Sequence, residues 1–194
     1  MLQIVLIRPG STDYDAEERI QGTLDIPLSE LGRGEVSQAL EQLRDKGIET
    51  VYAPPYQPAQ KTGEAIAKGL GIKLKKLDRM QNLDHGLWQG MRVKDVRRKQ
   101  PKAYRQWREK PENVCPPEGE MLGEADDRVR AAITKLIKRH KEGTIGIVVP
   151  EPLASLVRCF VKSCKPGDLW KVTNGHGHWE ILQVEPEELL AHTG

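Results

Sequence analysis

The sequence is short of sulfur, of net charge and of long apolar runs. Its 194 residues hold three cysteines, Cys115, Cys159 and Cys164, and no C-x-x-C pair. That spacing argues against a disulfide framework and against a zinc ribbon. An odd count beside no secretion signal predicts reduced, structural thiols in a cytoplasmic protein. No apolar stretch approaches the roughly 20 residues of a membrane span. The opening "MLQIVLIRPG" is apolar too briefly, and lacks the basic start, for a signal peptide. A formal charge of +2 is too small by itself to imply a nucleic-acid binder. Repeats and low-complexity tracts are missing too. With 38% hydrophobic and 30% charged residues, the composition is that of an ordinary soluble globular chain, long enough for one well-buried domain spanning 1–194.

What is present is an alternation of strands and helices. "LQIVLI" is a continuous apolar run, the mark of a strand buried on both faces. In "LSELGRGEVSQALEQLRDKG", Ser29 is placed to cap a helix. Leu31, Val36, Leu40 and Leu43 recur at helical spacing, and Gly47 stops it. "IETVYAPP" reads as a second strand and "AQKTGEAIAKGLG" as a second helix. "TIGIVVP" (144–150), "LASLVRCFVKSC" and "GHWEILQV" (177–184) read as strand, helix and strand. The pattern predicts an α/β domain with a largely parallel sheet.

The stretch from about 78 to 130 is different: polar, and rich in Arg, Lys and Pro. Residues 92–110 carry nine basic side chains against two acidic ones, a local +7 that leaves the remainder near −5. It is expected to form a basic helical lid over one end of the sheet. The acidic tail, about 185–194, is expected to be loosely held. In open α/β sheets, ligands bind off the carboxyl ends of the strands. Three strands here end at Arg8-Pro9, Ala53-Pro54-Pro55 and Pro150-Glu151-Pro152, so those loops should converge.

At these loops the sequence resembles the histidine phosphatase superfamily, the phosphoglycerate-mutase-like proteins. The likeness covers roughly residues 2–184 and keeps the family's order. "LIRPGSTDYDAEERIQGTLDIPLSELGRGE" is similar to L-I-R-H-G-E-T-x-x-N followed by R-I-Q-G-x-x-D-x-P-L-S-x-x-G. "VYAPPYQPAQKTGEAIA", "NLDHGLWQG", "PPEGEMLGE" and "GIVVPEPLASLVR" resemble the four later motifs. The resemblance implies a phosphoglycerate-mutase-like three-layer sandwich, with helices flanking a mainly parallel central sheet and a helical lid.

It also implies which positions carry chemistry. In this family a histidine accepts the phosphoryl group. A second histidine and two arginines hold its oxygens, and an acid moves the proton. Here the nucleophile's place is taken by Pro9, which has neither an imidazole nor a backbone N–H. Arg8, the first arginine, is kept. The second arginine falls on Pro58, the acid on Asn82 and the second histidine on Glu151. The asparagine of the first motif falls on Asp15. A carboxylate at 151 repels phosphate where the family attracts it. The changes fall in separate motifs while the scaffold residues around them stand. The expectation is therefore a catalytically inactive, histidine-phosphatase-like pseudoenzyme with a vestigial pocket formed by Arg8, Gly10, Thr12, Gln21 and Glu151. No metal and no cofactor are expected. The expected partner is a protein or a small anionic ligand, with nucleic acid disfavoured and a homodimer allowed.

Other residues offer alternatives. Ser11, Thr12, Tyr56, Asp84, His85 and Glu151 are candidates for replacement machinery near the pocket, His85 or Glu151 as the catalytic group. Asp15, Asp84 and Glu151 would suit a metal if they converged. His176 and His178, two apart on the expected last strand, would share a face and suit zinc with further ligands. Residues 92–110, with Tyr104 and Trp107 among the charges, would suit an anion or a nucleic acid. Trp88 and Trp107 read as lid core, and Trp170 and Trp179 as core or core edge. Arg8 and Glu151 are placed to form an internal ion pair.

Overall fold

The fold is described from a computed structural model, for residues 1–164 and 175–191. Strand β1 (Leu2–Ile7) lies inside a five-stranded sheet. Around it stand β2 (Thr50–Ala53), β3 (Lys73–Lys76), β4 (Gly143–Val148) and β5 (Trp179–Val184), in the order β3-β2-β4-β1-β5. All neighbours pair in parallel except β5, which runs antiparallel to β1 with Trp179 opposite Ile7. The mainly parallel sheet is as expected.

Both faces of β1 are buried, which explains its unbroken apolar sequence. Leu2, Ile4 and Leu6 face α6 (Leu122–Arg139) and α7 (Leu153–Val161). Val5 and Ile7 face α2 (Glu30–Leu43) and α3 (Ala59–Leu70). The result is helix, sheet and helix in three layers. Ser29 caps α2 as expected, its hydroxyl accepting from the Gly32 N–H at 3.0 Å. The inner face of α2 differs from the expectation. Leu31 is 67% exposed; Val36 and Leu43 are buried as expected, and Gly32 and Ala39 join them. Gly32 is inside because the first loop lies against it. A Cβ there would stand 2.0 Å from the Ser11 carbonyl oxygen, and one on Gly10 would stand 2.3 Å from the Gly32 oxygen.

The polar stretch splits into two parts. α4 (Val93–Lys99) and α5 (Pro101–Glu109) pack around Trp88 and Val96, with Tyr104 and Trp107 against that cluster. No residue of α5 is fully buried, so its basic side chains form a solvated face. α6 begins inside the same stretch but buries Leu122, Ala125 and Val129 in the main core. α8 (Pro186–Ala191) buries Pro186 and Leu189. Trp179 packs at the core edge, whereas Trp170 lies outside the described residues. Among the described residues no helix is long and apolar enough to cross a membrane.

Candidate functional site

The carboxyl ends of β1 and β4 and the start of α3 meet around a cavity of about 280 Å³. Arg8, Pro9, Gly10, Gln21, Pro58, Asn82 and Glu151 all line it. One fold position thus collects residues from four sequence motifs. Arg8 is set by β1: its N–H donates to the His178 carbonyl at 2.9 Å, beside the start of β5. Its guanidinium turns inward and lies 2.9 Å from Glu151 Oε1, the ion pair raised by the sequence. Only 8% of the Arg8 side chain and 24% of the Glu151 side chain are exposed.

Glu151 has a second attachment. Its Oε2 accepts from the Ser155 N–H at 3.1 Å and from the Ser155 hydroxyl at 2.7 Å. Ser155 is in the first turn of α7, whose preceding residue, Pro152, gives no side-chain cap. A carboxylate there satisfies a backbone donor at the positive end of the helix. Glu151 therefore occupies both anion-holding elements of this corner, the guanidinium and the helix start. Behind it the network continues, with Arg158 Nη1 3.3 Å from the Ser155 hydroxyl and Nε donating to Glu180 at 2.7 Å.

Four prolines, Pro9, Pro58, Pro150 and Pro152, contribute to the wall. None can donate a backbone hydrogen bond to a ligand. The Gly10 N–H is directed to Thr62 Oγ1 at 3.2 Å. Asn82 lines the cavity while its Oδ1 accepts from the Leu83 N–H at 2.8 Å.

His85 lines the same cavity and is 6% exposed. Burial pushes its pKa down to about 4, against a smaller opposing pull from Asp84 and Glu120. The imidazole is neutral near pH 7. It packs edge-on against Trp107, with ring centroids 5.6 Å apart. Its Nδ1 has no hydrogen-bond partner among the described residues.

Thr12 does not line the cavity. It caps α1 (Asp13–Ala16), its hydroxyl donating to Asp15 Oδ2 at 2.8 Å and lying 3.3 Å from Gln21 Oε1. It positions two lining residues instead of meeting a ligand. Ser11 turns away and donates to Glu35 through its hydroxyl and its N–H. Tyr56 is 46% exposed and borders a smaller adjoining pocket. Asp84 accepts from the Gly86 N–H at 2.8 Å.

The carboxylates considered for a metal are therefore held apart in separate roles. Asp15 serves α1, Asp84 a turn and Glu151 an ion pair. Among the described residues no three His, Cys, Asp or Glu side chains group as a metal would require. His176 and His178 precede β5 in a turn, so they do not share a strand face. His176 Nε2 lies 3.5 Å from Asp15 Oδ1.

Further residues line the cavity beyond those the sequence points to, among them Arg19, Ile20, Val93 and Trp107. The R-I-Q-G motif was the available signal for the first two. Arg19 is engaged, donating from Nη1 to the Gly90 carbonyl at 2.7 Å and from Nε to Glu17. Formal charges in the lining balance, Arg8 and Arg19 against Asp15 and Glu151. Two imidazoles complete the lining, the buried His85 and the exposed His176, and the residue that follows Arg8 on the chain is Pro9.

Known proteins resemble the chain over nearly its full length. The pattern of the histidine phosphatase superfamily (branch 1) matches residues 4–193. Phosphoserine phosphatase 1 of Hydrogenobacter thermophilus is 26% identical over 185 residues, which are 95% of this chain and 88% of that protein. The probable phosphoglycerate mutase GpmB of Salmonella arizonae is 30% identical over 163 residues, 84% of this chain and 74% of that protein. A mycobacterial glucosyl-3-phosphoglycerate phosphatase, solved in complex with VO3, shares the fold. Its TM-score is 0.86 at 24% identity, covering 93% of this chain and 90% of that one. With the sandwich, the ordered motifs and this match in hand, the chain belongs to the histidine phosphatase superfamily.

Proposed function

We propose that this chain is a histidine phosphatase fold without phosphatase or mutase activity, acting as a binding protein. The observation that carries the reading is Glu151, which pairs with Arg8 and is tied to the start of α7. The chain's own carboxylate takes the place in which a phosphoryl group would need the guanidinium. Pro9 adds to this, because the position that the resemblance assigns to the nucleophile has no lone pair to offer. Loss of a covalent nucleophile alone commonly lowers kcat by about 10⁴–10⁶. The names of the relatives, phosphoserine phosphatase and phosphoglycerate mutase, set the substrates on which this must be tested.

One observation favours a second reading, an enzyme with replaced machinery: His85, a neutral imidazole, lines the same cavity. A single experiment separates the two. The purified chain is assayed against p-nitrophenyl phosphate, phosphoserine and 3-phosphoglycerate, with and without magnesium and manganese. The expected result is turnover at the buffer background. Turnover that His85→Phe abolishes would establish the replaced machinery and end the binding-protein reading.

A further inference from the structure

The walls of the cavity also define what it can bind, an inference that rests on the reading above. We infer that the cavity takes a small uncharged aromatic ring carrying one hydrogen-bonding group, and that it discriminates against phosphate esters.

Size sets the first limit. About 280 Å³ lies just below the roughly 300–1,000 Å³ of common small-molecule pockets. It suits one ring or a fused pair and leaves little room for a phosphorylated sugar.

Charge sets the second. Arg8 is paired with Glu151, Arg19 is committed to Glu17 and the Gly90 carbonyl, and Asp15 closes the cap of α1 with His176 Nε2 3.5 Å from its Oδ1. An ionic ligand of either sign would compete with a shielded pair, and its own desolvation would oppose entry. The third limit is the shortage of backbone donors. Four of the wall residues are prolines, and the Gly10 N–H is directed to Thr62. An oxyanion needs converging N–H groups. The pyrrolidine rings, with Ile20, Val93 and Trp107, instead present apolar surface to a flat ring.

His85 supplies the polar contact. It is buried, it stays neutral near pH 7, and its ring lines the cavity. A ligand amide or ring nitrogen that meets the lining edge of the imidazole gains a hydrogen bond in a site shielded from water. The edge-on contact with Trp107 fixes the orientation of the imidazole plane.

Benzamide and phenyl phosphate form a matched test pair: one ring, neutral or dianionic. Binding is read at pH 7.5 from the Trp indole N–H resonances and by calorimetry, on wild type and on His85→Phe. Benzamide is expected to bind at millimolar concentration and to shift the Trp107 resonance. Phenyl phosphate is expected to bind at least tenfold more weakly. His85→Phe is expected to weaken benzamide at least fivefold while other indole resonances keep their positions, which reports an intact fold. Wild type that binds neither compound overturns this inference and leaves the inactive-phosphatase reading standing. The same holds if benzamide binding is indifferent to His85, or if phenyl phosphate binds more tightly without turnover. Phenyl phosphate that binds more tightly and is hydrolysed overturns both.

Discussion

Glu151→Ala is expected to lower the unfolding free energy by about 2–3 kcal/mol and the Tm by roughly 4–12 °C. Two losses add up to that effect. The first is the ion pair: only 8% of the Arg8 side chain is exposed, so its charge stays sequestered when the partner goes. Breaking a fully buried pair costs about 3–5 kcal/mol. The value here is lower because 24% of the Glu151 side chain still meets water. The second is the α7 start, where the Ser155 N–H and hydroxyl lose their acceptor. A lost helix cap costs about 0.5–2 kcal/mol, and water can reach this one in part. Urea unfolding at pH 7.5 measures the sum. A cycle with Arg8→Met separates the terms, since the cost of Glu151→Ala should shrink once Arg8 carries no charge. A loss below about 0.5 kcal/mol would mean that the pair is solvated and structurally idle.

Lowering the pH should destabilise the wild type more than His85→Phe, by up to about 3 kcal/mol. The sign follows from burial. The fold holds the His85 pKa down at about 4, against an ordinary 6.5. Below pH 6.5 the unfolded chain takes up a proton that the native chain refuses. The stabilisation from the neutral ring is complete above pH 6.5. It is lost as pH falls from 6.5 through about 4. Phenylalanine keeps the aromatic packing on Trp107 and removes the proton site. Unfolding free energies of both proteins at pH 7, 5.5 and 4.5 test this. The two curves should converge towards acid if the wild type starts ahead, or diverge if it starts behind. Parallel curves would show that water reaches the imidazole.

The scaffold was legible in the sequence wherever one physical cause dominated. Burial on both faces made "LQIVLI" a central strand, and Ser29 marked the start of α2. The three strand-end loops pointed to one corner of the sheet, and the Arg8–Glu151 pair could be foreseen from opposite charges on two of them. Edge strand β3, "KLKK", went unread because lysine is poor in strands and its side chains are largely exposed. Helix α6 was hidden in a polar stretch whose basic composition belongs to α4 and α5. Leu31 fits the helical spacing of α2, yet Gly32 holds the inner place because the first loop needs contact with the helix there. Thr12 and His176 show the limit for the pocket itself. Their side chains both meet Asp15, Thr12 in a cap and His176 with its Nε2 3.5 Å from Oδ1, and sequence spacing does not register that. The walls contributed by Ile20, Val93 and Trp107 depend on how α4 and α5 fold back, a tertiary fact.

The most direct test of the account is the affinity for orthovanadate, measured by calorimetry on wild type and on Glu151→Gln. A carboxylate about 4 Å from an oxyanion opposes it by roughly 4 kcal/mol at an effective dielectric of about 20. Glutamine keeps the shape and removes that charge. The account predicts no binding by wild type at millimolar orthovanadate and at least a tenfold gain in the variant, as Arg8 becomes available to the anion. Tight binding by wild type, unchanged in the variant, would contradict the claim that Glu151 holds the anion's place in this fold.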